Sequence, residues 1–420
     1  MKNWKLYLSF MLCLFAAVLC QQIISTSMIN QQNKRDSAEI HHIKYGLFSI
    51  NEWKKQLATI ISDEITKLNL TAANEVELKK HVEIQLGGLI DNIEEKIENS
   101  NKGSIKGQLK QAFINAFVDV KEIKKGIPGY ADAIIARMTK VKTEHILKAS
   151  LLKRIGNYFD KTFENQDLTQ LNRILARTQT TDIEAARTKL DPEIEARQNL
   201  LFNQAWLLIA ISMAIFLLCG LGKSKLQPSR YFILLFILAL LLLVGVTVPM
   251  IDMEAKISTM KFTLLDHPVS FENQVLYFQT KSILDVFWIM ITHKDLAMKI
   301  VGVLMVAFSV VFPLLKMLSS LLYYYDFRKA KQNSLIKFFV LKSGKWSMSD
   351  VLIVAIFMAY IGFNGIITSQ FGNLSAVDQD VVILTTNGTS LQPGFFIFLS
   401  YTLLALFLSG FLTRESELKV

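Results

Sequence analysis

The chain has 420 residues, 51% hydrophobic and 20% charged, with a formal net charge of +10. Its apolar residues are segregated. Residues 31–200 hold 27 Lys+Arg and 24 Asp+Glu, and the rest of the chain after them holds 17 and 12, mostly in short connectors. One part is built for water and the other for lipid. The basic excess lies beside apolar runs and forms no stripe with interleaved aromatics, which excludes a nucleic-acid partner. Cys13, Cys20 and Cys219 all sit in apolar runs and form no C-x-x-C pair, so neither a disulfide framework nor a zinc ribbon is expected. The six histidines are scattered, and His41-His42 reads as solvated linker. No metal and no cofactor is expected.

The predicted fold class is all-α: a polytopic membrane protein with six transmembrane helices and an extracytoplasmic helical domain. About 20 apolar residues cross a bilayer, and in lipid each crossing must satisfy its backbone as a helix. The spans fall at residues 6–24, 201–221, 231–251, 300–325, 351–369 and 394–412. The first follows Lys2 and Lys5 and lacks a clean small-residue cleavage site, so it reads as an uncleaved signal anchor.

Four parts follow: a signal-anchor helix (1–30), an extracytoplasmic α-helical domain (31–200), a second span with its basic connector (201–230), and a four-helix membrane module (231–420). Within the second part, Ser49-Ile50-Asn51-Glu52 has the capping-box pattern. Apolar stripes mark helices near residues 52–68, 82–97, 109–120 and 133–159. Asp191-Pro192 is expected to cap a last helix that runs on into the second span.

Orientation follows from the connectors. Residues 222–230 carry Lys223, Lys225 and Arg230, and residues 326–350 carry Arg328, Lys329, Lys331, Lys337, Lys342 and Lys345. Residues 371–393 carry no Lys or Arg. The basic connectors are expected in the cytoplasm, with both termini, and residues 31–200 in the periplasm. Residues 252–299, with five lysines, depart mildly from the rule.

Polar residues inside apolar runs need a reason, since a charge at a span centre costs about 2.5–3.5 kcal/mol on insertion scales. Lys316 lies three residues after Pro313, a helix-kinking residue. It either snorkels to the cytoplasmic face or faces a polar cavity. Lys281 and Asp285 stand at i,i+4 around Ser282, at the start of an apolar stretch too short to span, and are expected to pair on one helix face. Ser319 and Ser320 can bond carbonyls or line a path. Lys345-Trp346-Ser347-Met348-Ser349-Asp350 closes the connector, with Trp346 suited to headgroup level and Ser349 or Asp350 to a helix cap.

Four segments carry a resemblance to a known family. They are Pro249-Met250-Ile251, Gln279-Thr280-Lys281-Ser282-Ile283-Leu284-Asp285-Val286, Phe312-Pro313-Leu314-Leu315-Lys316, and Gly344-Lys345-Trp346-Ser347-Met348-Ser349-Asp350-Val351. The sequence resembles the paraquat-inducible protein A family of bacterial inner-membrane proteins, over about residues 231–413. The resemblance implies lipid traffic, with membrane phospholipid as ligand and an MCE-domain lipid carrier or another envelope protein as partner. It makes Lys281, Asp285, Lys316, Lys345 and Ser347 the matching polar positions. Larger members carry two such modules with cysteine-rich zinc ribbons; this chain has one module, no such cysteines, and two extra spans with an outer domain. The rival reading is an envelope stress sensor or scaffold whose outer domain binds a partner. No G-x-S-x-G, H-E-x-x-H or P-loop pattern supports an enzyme.

Overall fold

The computed structural model describes residues 4–46, 168–220, 227–264, 267–325, 327–342, 349–372, 376–377 and 381–417, with a few isolated positions between 49 and 88. The helices expected between residues 52 and 159 lie outside the described residues. The elements are α1 (Trp4–Ile40), α2 (Thr169–Thr178), α3 (Ile183–Gly220), α4 (Pro228–Thr247), β1 (Ile251–Leu264), β2 (His267–Lys281), α5 (Ile283–Thr292), α6 (Leu296–Val306), α7 (Phe312–Tyr325), α8 (Ser349–Gly372), β3 (Ala376–Val377), β4 (Val381–Asn387), β5 (Ser390–Leu391) and α9 (Pro393–Glu417). Among the described residues five helical stretches are long and apolar enough to cross a membrane: Trp4–Ile40, Ile183–Cys219, Pro228–Thr247, Leu296–Tyr325 and Ser349–Ser369. The sixth expected span, α9, has Pro393–Ser409 as its described apolar part.

The core is a packed group of α1, α3, α4 and α9. Ile23, Leu208, Ile215, Ile237, Leu241 and Phe398 are wholly buried in it. Lipid is as apolar as leucine, so close packing rather than water exclusion joins these helices. A Cβ at Gly245 of α4 would lie 3.0 Å from Phe398 Cβ, and one at Gly394 would lie 2.3 Å from the Val248 carbonyl oxygen. Both positions need glycine because α9 presses on the α4 backbone.

The all-α expectation is corrected by a five-stranded antiparallel sheet in the order β2-β1-β4-β3, with β5 pairing the start of β1. Residues 251–264 alternate apolar and polar side chains, as a half-buried strand requires. The alternation is broken by register shifts after Ala255 and Ile257, and in β2 by Asn273 in the left-handed region (φ 52°). The expected loop 371–393 returns to this sheet as β3, β4 and β5.

The helix ends also differ from expectation. α1 runs 37 residues, about 24 Å past residue 24 at 1.5 Å per residue. Pro192 lies inside α3 and does not open it; Asp182 precedes the helix and accepts a bond from the Ala185 N–H at 2.8 Å. α3 does continue unbroken into the second span. In the fourth span, residues Ala307–Val311 form a π turn just before Pro313. Such a widened turn accommodates the lost proline donor within a continuous helix.

Where α4 ends and the sheet begins, a buried polar layer joins four elements. Lys34 Nζ of α1 meets Asp252 Oδ2 of β1 at 2.6 Å, with the side chains only 12% and 6% exposed. Lys34 also donates to Gln392 Oε1 (3.3 Å), Gln198 of α3 donates to the same oxygen (2.7 Å), and Asn30 donates to Gln198 (3.1 Å). Removing one partner of a buried ion pair strands the other charge, at about 3–5 kcal/mol. Lys34→Met or Asp252→Leu alone should therefore lower the unfolding midpoint in detergent sharply. The double variant should recover much of the loss.

Candidate functional site

The expected polar positions fall into two places at opposite ends of the helices. The first lies on the sheet side. Ser282 is the N-cap of α5, accepting from the Asp285 N–H at 3.1 Å, while Asp285 Oδ2 accepts from the Ser282 N–H at 3.0 Å and its hydroxyl at 2.9 Å. This reciprocal capping box corrects the expected Lys281–Asp285 helix pair. Lys281 ends β2 and so is not on the helix, and the two form no ion pair. Asp285 instead takes a bond from Gln31 Nε2 of α1 at 2.9 Å. Burial works to raise the Asp285 carboxyl, but the Ser282 backbone, Gln31 and the Ser282 hydroxyl together hold it below the usual carboxylate range. Burial holds the Lys281 ammonium below its ordinary value, with Arg35 pushing the same way and Asp285 opposing.

The second place is a cleft on the connector side, about 13 Å along the helix from Tyr325. Its walls are α4, α7, the start of α8 and α9. The cavity has about 70 Å³ of room for the centres of water-sized molecules, several times what one water needs. Pro313, Lys316 and Ser320 face it from α7, and Asp350 from α8. Tyr231, Tyr401 and Thr402 complete its polar lining with Ser409 of α9, which accepts from Lys316 Nζ at 3.2 Å. Lys316 therefore faces a cavity, the second of its two sequence readings. Among the described residues no carboxylate lies within ion-pair distance of it. Tyr231 stacks on Tyr324 with ring centroids 4.5 Å apart, closing the lower wall.

Ser319 is buried in α7 but is not part of the cleft wall. Lys345, Trp346 and Ser347 lie outside the described residues. Gln31, Lys34, Asp252, Gln392 and Ser409 escaped the sequence reading. Each is an ordinary polar residue whose partner lies far along the chain, 93 residues for Lys316–Ser409 and 254 for Gln31–Asp285. The Ser282–Asp285 cap was legible as S-x-x-D.

Residues 273–390 match the family model described as Paraquat-inducible protein A. The match runs from the left-handed turn of β2 to β5 and includes Lys281, Asp285, Pro313, Lys316, Ser320 and Asp350. α1, α3, α4 and α9 lie outside it. No curated protein and no solved structure matches the chain. Together with the apolar helices, the match identifies a multi-pass membrane protein.

Removing the cap hydroxyl in Ser282→Ala should cost about 1 kcal/mol, read as a lower unfolding midpoint in detergent. Because the folded-state pKa of Asp285 is depressed, its contribution is fully present above the unfolded value of about 3.9 and is lost as pH falls through the folded value. Asp285→Asn should therefore leave the slope of stability against pH unchanged across about pH 6–8.

Proposed function

We propose, from the premise that residues 273–390 belong to the paraquat-inducible protein A family, that this chain loads or receives phospholipid at a bacterial inner membrane and hands it to a periplasmic partner. The observation that carries the reading is Lys316: a cation well inside an apolar helix, bonded to one hydroxyl, beside a cavity and without a counter-ion among the described residues. Such a charge is expensive in lipid unless something completes it. A phospholipid phosphate supplies the missing anion. The acyl chains would lie along α8, of whose apolar stretch only 6% is buried.

The basic connector 326–350 supports a reading in which the cleft end faces the cytoplasm and the sheet faces the periplasm. The headgroup would then enter from the cytoplasmic half of the bilayer. An MCE-domain carrier or another envelope protein would take the lipid on the sheet side. Asp285, kept ionised by its cap, does not serve as the neutral-pH proton switch that an unpaired buried carboxylate would offer. Lys281 and Asp285 instead organise the sheet-side exit.

A second reading, a stress sensor or scaffold, is favoured by one observation. The polar layer ties α1 and α3 directly to the base of the sheet. In that case the membrane helices would report on a partner bound outside.

Native mass spectrometry of protein extracted with its surrounding lipid separates the two. Lys316→Ala should lose a phospholipid that the wild type retains, whereas Lys281→Ala should retain it more fully. If wild type and both variants carry no defined lipid, the transport reading fails and the scaffold reading gains.

A further inference from the structure

The end of α7 meets the start of α4 at the connector end, where Tyr325 donates to the Pro228 carbonyl oxygen at 3.0 Å. α4 then runs 20 residues, while the continuous stretch Leu296–Tyr325 runs 30. At 1.5 Å per residue the second is longer by about 15 Å. That excess is α6, which folds back on α5 so closely that a Cβ on Gly302 would sit 2.7 Å from Met290 Cβ. Ile283, at the root of α5, belongs to the core beside the end of α4. The hairpin therefore rises on the sheet side from the level at which α4 stops.

What it presents there is apolar. Leu284, Trp288, Ile289, Leu296, Ile300 and Val303 are all exposed, Trp288 by 67% and Leu296 by 69%. α1 gives an internal comparison. Gln31 marks the level of Asp285, and beyond it α1 reads Gln-Asn-Lys-Arg-Asp-Ser, polar at every position. α5–α6 at the same height keeps its hydrocarbon surface. Val301 and Leu304 are exposed as well as Ile300 and Val303, so α6 is apolar around much of its girth and not on one docking face. A partner helix is met by a stripe; a lipid environment is met by a surface apolar all round. Further along the same continuous helix, Val311, Leu314, Leu315 and Leu318 are exposed as well. The hairpin's lysines gather toward its tip, where Lys294, Asp295 and Lys299 stand beside His293.

We infer that the α5–α6 hairpin is a lipid-coated fin, covered by the acyl chains of phospholipids of the sheet-side leaflet, whose phosphates meet Lys294 and Lys299 at its tip. Hydrocarbon is thereby drawn along the fin past the point at which α4 ends, beside the root of β2. The surface is distinct from the Lys316 cleft and stands whether or not that cleft holds a headgroup.

Wild-type protein in vesicles of phosphatidylethanolamine and phosphatidylglycerol, doped with a phospholipid carrying a photoreactive group in its acyl chain, tests this directly. Peptide mapping should find adducts on residues 284–304 as well as on 311–318. Adducts on 311–318 alone, or on neither, overturn the inference. A protein retaining Trp288 as its sole tryptophan adds a second measurement. Its emission should be blue-shifted and quenched by bromine-labelled acyl chains. Quenching by aqueous iodide instead places the fin in water. Protection from both quenchers places it against protein, and either result sinks the proposal.

Discussion

The arrangement depends on the short contact between Lys34 and Asp252, made where the chain passes from apolar helices to a sheet. An ion pair this enclosed contributes less by its own attraction than by what its absence would leave: a bare charge with no solvent to take it. It therefore selects one relative position of α1 and β1. The amides of Gln198, Gln392 and Asn30 extend that choice to α3 and α9. The family-matched segment begins only at residue 273, yet its sheet is footed on residues from outside that segment. The two parts of the chain are one mechanical unit.

The helices were the legible part of the sequence because each encodes itself: a run of about 20 apolar residues needs no distant partner to be a span. The sheet was encoded too, in the alternation of residues 251–264. Two register shifts and a left-handed Asn273 interrupt the period, and five lysines made the region resemble a soluble connector. At the sites, the sequence singled out Lys316 and Pro313 by their cost, and singled out Asp285 while misassigning its partner. The i,i+4 rule presumes a helix on both sides of Ser282, whereas the chain is a strand up to Lys281. What no local rule could reach were Gln31, Lys34 and Ser409, whose significance exists only once helices far apart in sequence are side by side.

The two polar places divide chemically. On the sheet side every short bond of Asp285 is used in holding backbone together: its donors are a cap hydroxyl, a cap amide and a helix amide. On the connector side Lys316 bonds one hydroxyl across to α9 and, among the described residues, has no carboxylate within ion-pair distance. Between the two places runs one helix with a π turn beside a proline, a place where backbone hydrogen bonds can be re-made at little cost.

α8 is seated at both ends: Leu352, Ile353 and Ile356 pack on the helix core beside the cleft, and its other end meets the sheet. There Asn387 of β4 donates to the Asn364 side-chain oxygen at 2.5 Å, and Tyr277 of β2 meets Phe363 at a ring distance of 5.8 Å. In mechanical terms this is a strut held at both ends. From Asn364 to Ser349 it is about 22 Å long at 1.5 Å per residue, and it joins the sheet directly to the mouth of the cleft. The sheet and the cleft thus share one stiff connection, and the length of α8 sets the distance between them.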